Sequence, residues 1–181
     1  MGAPVVVLVG LPGAGKSTVG RRLAARLGVE FRDSDELIVE RAGRPIPAIF
    51  ATVGEPAFRA LEADVIVAAL GEFDGVLALG GGAVVTAAVR AALADSGLPI
   101  VWLIAEHGQL LERVSGAEHR PLLAGDTAAR LRQLADERDA LYRQLATVTV
   151  DTSGRSVTDI VTELAGDTIA SSRRDKTGDN R

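Results

Sequence analysis

Along the chain, short runs of β-branched and aliphatic residues alternate with longer stretches whose apolar residues recur every three or four positions. The runs predict strands over 5–9, 30–33, 76–79, 100–104 and 147–151. The periodic stretches predict helices over 17–27, 35–42, 55–70, 86–94, 109–114, 128–146 and 157–164. Strands that alternate with helical segments are expected of parallel strands joined by crossovers, so the predicted fold class is an α/β sandwich. In the helix over 55–70, Phe58, Leu61, Val65 and Ala68 form a stripe expected to face the core. From Gly166 onward the apolar pattern stops and Ser, Arg, Asp, Lys, Gly and Asn take over. The chain therefore reads as one domain over 1–165 with a disordered tail over 166–181.

Composition narrows the classes of function. A chain of 181 residues that is 47% hydrophobic can bury one sizeable core, so a multidomain reading is unnecessary. It has no cysteine, which removes disulfides and thiolate metal sites and fits a reducing compartment. No basic segment precedes the short apolar run at the N-terminus and no stretch is long enough to span a bilayer, so a cytoplasmic protein is expected. Position 6 is Val6 where a myristoylation signal needs Ser or Thr, so a lipid anchor drops out. A net charge of −4 argues against a nucleic-acid partner and for a small molecule. Of 20 basic residues all but Lys16 and Lys176 are Arg, a skew explained by codon bias that leaves Lys16 as the sole lysine of the folded body.

Lys16 stands in the strongest motif. Gly10-Leu11-Pro12-Gly13-Ala14-Gly15-Lys16-Ser17, followed by Thr18, satisfies the G-x-x-x-x-G-K-[ST] pattern between a predicted strand and a predicted helix. Glycines let consecutive backbone N–H groups curl around phosphate oxygens, and the helix N-terminus adds partial positive charge. The cradle is thus expected to run from Gly13, Ala14 and Gly15 through Lys16, Ser17 and Thr18. Lys16 would reach the β- and γ-phosphates and Ser17 would offer its hydroxyl to Mg²⁺, which implies Mg-ATP as the ligand.

Further candidates surround this cradle. Asp33 and Asp35 close the second predicted strand two residues apart, so both carboxylates can face the phosphate site. One could support Mg²⁺ and the other accept a substrate hydroxyl proton. The alternative is that Asp33 or Ser34 caps the next helix, with Glu36 at capping-box spacing. Gly80, Gly81 and Gly82 follow the third strand, where they permit close backbone approach to a bound group or form a plain turn. That strand ends without the acidic residue many such enzymes use for Mg²⁺, which leaves Asp33 as the substitute. Arg59 lies a helical turn from Glu62, and Arg138 sits in the apolar stripe of Leu131, Leu134, Leu141 and Leu145. An arginine in an apolar stripe calls for an anion, and its planar fork suits a carboxylate. A surface Arg59–Glu62 pair and a snorkelling Arg138 are the alternatives. Arg120 lies in a long connection over 115–125, which reads as a mobile lid or a solvated loop. The neighbouring His119 is assigned no role.

Together, the cradle, Asp33-Ser34-Asp35, Gly54-Glu55-x-x-Phe58-Arg59-x-x-Glu62, Leu79-Gly80-Gly81-Gly82-Ala83, Arg120-Pro121-Leu122-Leu123 and Leu141-Tyr142-Arg143 resemble shikimate kinase in the family's order. The resemblance implies a three-layer P-loop sandwich of the nucleoside monophosphate kinase-like kind, with a five-stranded parallel sheet, a lid and a substrate-binding subdomain. It implies ATP-dependent phosphorylation of the shikimate 3-hydroxyl, in the route to chorismate and aromatic amino acids, by a monomer. Asp35 then corresponds to the group that binds the reacting hydroxyls, with Arg59, Arg138 and the Gly80–Gly82 backbone around the substrate carboxylate. Ser17 and Asp33 correspond to Mg²⁺ supporters, Arg120 to a lid arginine over the phosphates, and Arg113 and Arg155 to neighbours of the adenine. The alternatives are a gluconate kinase, which shares the cradle and the general chemistry, and a non-catalytic nucleotide-binding module.

Overall fold

The computed structural model of the chain describes residues 2–115 and 126–168. Among them, five strands form one parallel sheet: β1 (Val6–Val9), β2 (Glu30–Asp33), β3 (Gly75–Ala78), β4 (Ile100–Ile104) and β5 (Val148–Asp151), in the order β2-β3-β1-β4-β5. The central strand β1 is buried along its whole length, as a run of uninterrupted Val and Leu requires when helices cover both faces. The helices are α1 (Lys16–Leu27), α2 (Ser34–Ala42), α3 (Ile46–Glu72), α4 (Ala87–Asp95), α5 (His107–Ser115), α6 (Thr127–Leu145) and α7 (Val157–Glu163). Helix α1 packs with α7 and β3, while α4 meets α3 and α6, and α6 rests on β4. Apart from Ser115, which ends α5, the expected lid over 115–125 with His119 and Arg120 lies outside the described residues. A π-helical turn, Leu164–Thr168, carries the chain three residues into the stretch expected as tail. Residues 169–181 lie outside the description.

Two expectations need correction. Residues 46–53 are helical, although Pro45, Pro47 and Gly54 read as breakers. Proline is tolerated in a first turn, where its missing N–H has no partner to lose, and the non-helical Gly54, at φ 77 and ψ 173, divides α3 into two helical segments, the second beginning after it as expected. The apolar stripe of α3 is also more complex than one line. Phe58 is buried and Leu61 and Val65 pack beside it, but Ala68 is exposed, and Ala63, Ile66, Ala69 and Leu70 face the main core. The helix serves two cores. Its first half joins Ile38 of α2 and Ile49 in a small separate cluster, with the rings of Phe50 and Phe58 stacked at 4.3 Å. Burying each of Ile38, Ile49 and Phe58 contributes about 1.5–3 kcal/mol, enough to give this subdomain a core of its own.

The stripe expected on α6 also shifts, although that helix packs on the main core alone. Its buried line runs Leu131, Leu134, Ala135, Arg138, Tyr142, while Leu141 and Leu145 are half-buried.

A very tight backbone contact lies where β1 turns into the cradle. Gly10 has φ 146, and a methyl group there would collide with the main-chain carbonyl oxygen of Leu103 on β4. Gly10→Ala is therefore expected to lower stability by about 1–3 kcal/mol, the usual cost of overpacking a site that cannot relax. Urea denaturation of the ligand-free protein measures it, and an unchanged midpoint would show that β4 can give way.

Candidate active site

The cradle leaves the carboxyl end of β1 and runs straight into α1. Gly13 and Gly15 have φ of 84 and 96, and Lys16 is the first residue of the helix. Its ammonium donates to the carbonyl oxygens of Gly10 at 2.8 Å and Leu11 at 3.0 Å, so the side chain arches back over its own loop. That pose places a cation across the mouth of the cradle, where phosphate charge would be met. Ala14 is buried and Thr18 is exposed in the first turn of α1.

Ser17 and Asp33 come together as the spacing suggested. The Ser17 hydroxyl donates to Asp33 Oδ2 at 2.8 Å, while Asp33 Oδ1 accepts from the backbone N–H of Asp35 at 3.0 Å. The two readings of Asp33 are thus compatible: one oxygen caps α2 and the other faces the cradle. The expected capping-box partner behaves differently, because Glu36 instead pairs with Arg21. A hydroxyl beside a carboxylate is an oxygen donor set that suits Mg²⁺, which takes one or two protein ligands and fills its other positions with phosphates and water. Among the described residues there is no cluster of three or more acidic, His or Cys side chains that could hold a metal alone.

Across from the cradle, Gly80, Gly81 and Gly82 follow β3, and each is approached from a different side. A methyl on Gly80 would stand 2.5 Å from Asp35 Oδ1, and one on Gly82 would stand 2.7 Å from both terminal nitrogens of Arg59. On Gly81 it would stand 3.2 Å from Pro12 Cδ and 3.3 Å from the Gly10 oxygen, both in the cradle. Glycine is needed here for room. Ser34, fully buried between the two aspartates, accepts from the Gly80 N–H at 2.8 Å and ties the turn to α2.

The arginines define the other wall. Arg59 donates to Glu62 at 2.6 Å and to the exposed Glu55 at 3.3 Å. The surface-pair reading fails, because Glu62 is only 2% exposed. Burial raises the Glu62 carboxyl above its usual 4.5, with Asp35 pushing the same way, while the hydrogen bond and charge of Arg59 and the charge of Arg138 pull it down. Arg138 is 4% exposed, so its head does not snorkel to water, and among the described residues it forms no salt bridge. Among those residues, the buried side-chain polar atoms without a hydrogen-bond partner are the Nε atoms of Arg59 and Arg138. Leaving such donors unpaired costs about 1–3 kcal/mol each, which marks both as groups awaiting an acceptor.

On the far side of the cradle, Arg113 donates to the Gly13 carbonyl and to the Thr152 hydroxyl, both at 3.3 Å. Arg155 lies in the same post-β5 loop, bound to the Asp151 carbonyl and paired with Glu163 of α7. Arg113 touches the cradle, whereas Arg155 is held by Asp151 and Glu163. Ser34, Glu62, Tyr142 and Thr152 carry contacts that pattern reading left without a function. What they share is burial, with Ser34, Glu62 and Thr152 at 2% exposure or less and the Tyr142 phenol fully buried, and Ser34 and Thr152 stand in polar stretches that give no local signal of it.

The family described as shikimate kinase matches residues 12–168. A shikimate kinase of Mycobacterium avium (strain 104) is 54% identical over 85% of this chain and 87% of its own length. A solved shikimate kinase from Acinetobacter baumannii in complex with shikimate shares 38% identity with a TM-score of 0.84, covering 91% of each chain. A gluconokinase from Sinorhizobium meliloti 1021, at 22% identity and TM-score 0.62 over 96% of this chain and 92% of its own, shares the fold alone. With the family match running from Pro12 in the cradle through β2, β3, β4, β5 and both arginine-bearing helices, and a relative 54% identical over 85% of the chain, the chain belongs to the shikimate kinase family.

Proposed function

We propose that this protein transfers the γ-phosphate of ATP to the 3-hydroxyl of shikimate, giving shikimate 3-phosphate and ADP. The observation that carries the reading is the pair of buried arginine Nε atoms without partners, Arg59 and Arg138, beside the Gly80–Gly82 turn. Arg59 is paired with Glu62 and Glu55 yet keeps an unpartnered Nε, and Arg138 forms no salt bridge among the described residues, so the carboxylate of a small acid supplies an acceptor that both lack. Arg138 and Arg59 grip that carboxylate, and the Gly80–Gly82 backbone lies close against it. Asp35 then holds the hydroxyl toward the cradle.

In the reaction, the shikimate hydroxyl oxygen forms a bond to the γ-phosphorus as the bond to the β–γ bridging oxygen breaks. Asp35 orients that hydroxyl and receives its proton, a modest demand because the transition state is loose. Gly13 through Thr18 offer backbone N–H groups to the phosphates, and Lys16 moves from its own loop's carbonyls to the β- and γ-oxygens. Ser17 and Asp33 would hold Mg²⁺, which would supply charge neutralisation on the phosphates. Arg113 and Arg155 would border the adenine, while Arg120, expected over the phosphates, lies outside the described residues. All of these groups belong to one chain, so a monomer suffices. A cytoplasmic setting fits a chain in which, among the described residues, no helix is long and apolar enough to cross a membrane.

Steady-state ADP release separates this reading from its rivals. Shikimate should stimulate release strongly, and gluconate should leave it at the level of ATP alone. Equal rates with gluconate would move the protein to the other kinase class, and no stimulation by either would favour a nucleotide-binding module. Asp35→Asn should reduce turnover strongly while ATP still binds, because the carboxylate serves the hydroxyl and not the nucleotide. Unchanged turnover would confine Asp35 to the helix start. Arg138→Lys keeps the charge but loses the planar fork. Its shikimate affinity should fall by about 1.5–3 kcal/mol, with ATP affinity near normal by calorimetric titration. Equal losses for both ligands would make Arg138 a structural residue.

A further inference from the structure

Tyr142 is the chain's sole tyrosine and among its largest fully buried side chains. Its phenol oxygen donates to the carbonyl oxygen of Gly81 at 2.6 Å, from a helix 61 residues away along the chain. Its ring stacks on Trp102 of β4 with centroids 5.8 Å apart, and the Arg143 guanidinium covers the other ring at 5.8 Å. A phenol buried this deeply is disfavoured unless its hydroxyl is used, and Phe would fill the same space without that requirement. The hydroxyl is therefore kept for what it holds.

What it holds is shared by both ligand sites. Gly81 is the member of the triple glycine that lies against Gly10 and Pro12 of the cradle, between the residues that approach Asp35 and Arg59. Arg138 lies one helical turn before Tyr142 on the buried face of α6. Burial raises the phenol's ionisation far above its ordinary value, and the charge of Arg138 opposes that rise. The helix that carries the guanidinium is thus tied to the Gly80–Gly82 turn through the phenol oxygen.

We propose that Tyr142 is a positioning residue for substrate recognition: its hydroxyl ties the Gly81 carbonyl to α6, the helix that carries Arg138, so that the carboxylate clamp is formed before substrate arrives. This rests on the reading of Arg138 and the Gly80–Gly82 turn as that clamp. Pre-formation reduces the ordering cost of binding, so loss of the hydroxyl acts on substrate affinity more than on the chemical step. The aromatic stack is unaffected by removing one oxygen, which separates positioning from packing.

The test is Tyr142→Phe, measured for shikimate Kd without nucleotide, ATP Kd without shikimate, and steady-state KM and kcat. Shikimate Kd and KM should rise about tenfold, with kcat and ATP affinity nearly unchanged, since one uncharged hydrogen bond is lost. The double variant with Arg138→Lys should be weakened by less than the product of the single effects, because both changes undo one arrangement. Additive losses, equal weakening of both ligands, or a fall in kcat alone would overturn the proposal. If Arg138→Lys itself leaves shikimate affinity intact, the clamp reading fails; if it weakens shikimate and Tyr142→Phe does not, only the role of Tyr142 fails. Should Tyr142→Phe not fold, growth with 3-fluorotyrosine labels this position alone, because the chain has a single tyrosine. Its fluorine resonance should shift on saturation with shikimate and stay fixed with gluconate. A resonance indifferent to shikimate would overturn the proposal.

Discussion

The site depends on how closely the Gly80–Gly82 backbone is approached from three sides at once. Cradle, acid and arginine each come to a distance at which a single methyl group would force a shift. Hydrogen bonds from opposite directions then fix the turn: Ser34 accepts from the N–H of Gly80, and Tyr142 donates to the carbonyl of Gly81. Two buried side chains from α2 and α6 thus hold three glycines that, by their own flexibility, would sample many conformations. Removing side chains creates the room, and neighbouring helices restore the order.

Charge follows the same geometry. Glu62 and Arg138 are buried and Arg59 is nearly so, where unpaired charge is costly and pair energies exceed those in water, whereas Asp35 is exposed. Glu62 compensates Arg59, and its raised carboxyl pKa records the strain of burial. Arg138 has no such partner among the described salt bridges, so the protein leaves one buried cation for an incoming anion. Stability is traded here for a site that recognises acids.

The two hydrophobic clusters divide these duties. The main core fixes β1, β3 and β4, hence the cradle and the glycine turn, whereas the small cluster of Ile38, Ile49 and Phe58 carries α2 and the first half of α3. Arg59 and Glu62 sit where α3 passes from one core to the other, five and eight residues after the kink at Gly54. Asp35 belongs to α2, on the same small subdomain. The groups assigned to substrate are thereby mounted partly on a unit distinct from the one that holds the phosphate cradle.

Local chemistry made much of this legible in the sequence. The cradle motif, the strand and helix alternation, the pairing of Ser17 with Asp33 and the need of Arg138 for an anion all follow from residue type and short spacing. Helix 46–53 was hidden because Pro45, Pro47 and Gly54 are breakers by propensity, and only position within a turn decides whether a proline harms it. The α3 stripe was misjudged in detail because one helix can face two cores, and the α6 stripe because Leu141 and Leu145 only flank the main core, facts that periodicity does not contain. The tertiary structure alone decided that Ser34 and Tyr142, 108 positions apart in sequence, grip neighbouring glycines, and that Glu62 is buried. Those contacts arise from packing between elements distant along the chain, and a one-dimensional pattern records which residues can be buried but not which partner they meet there.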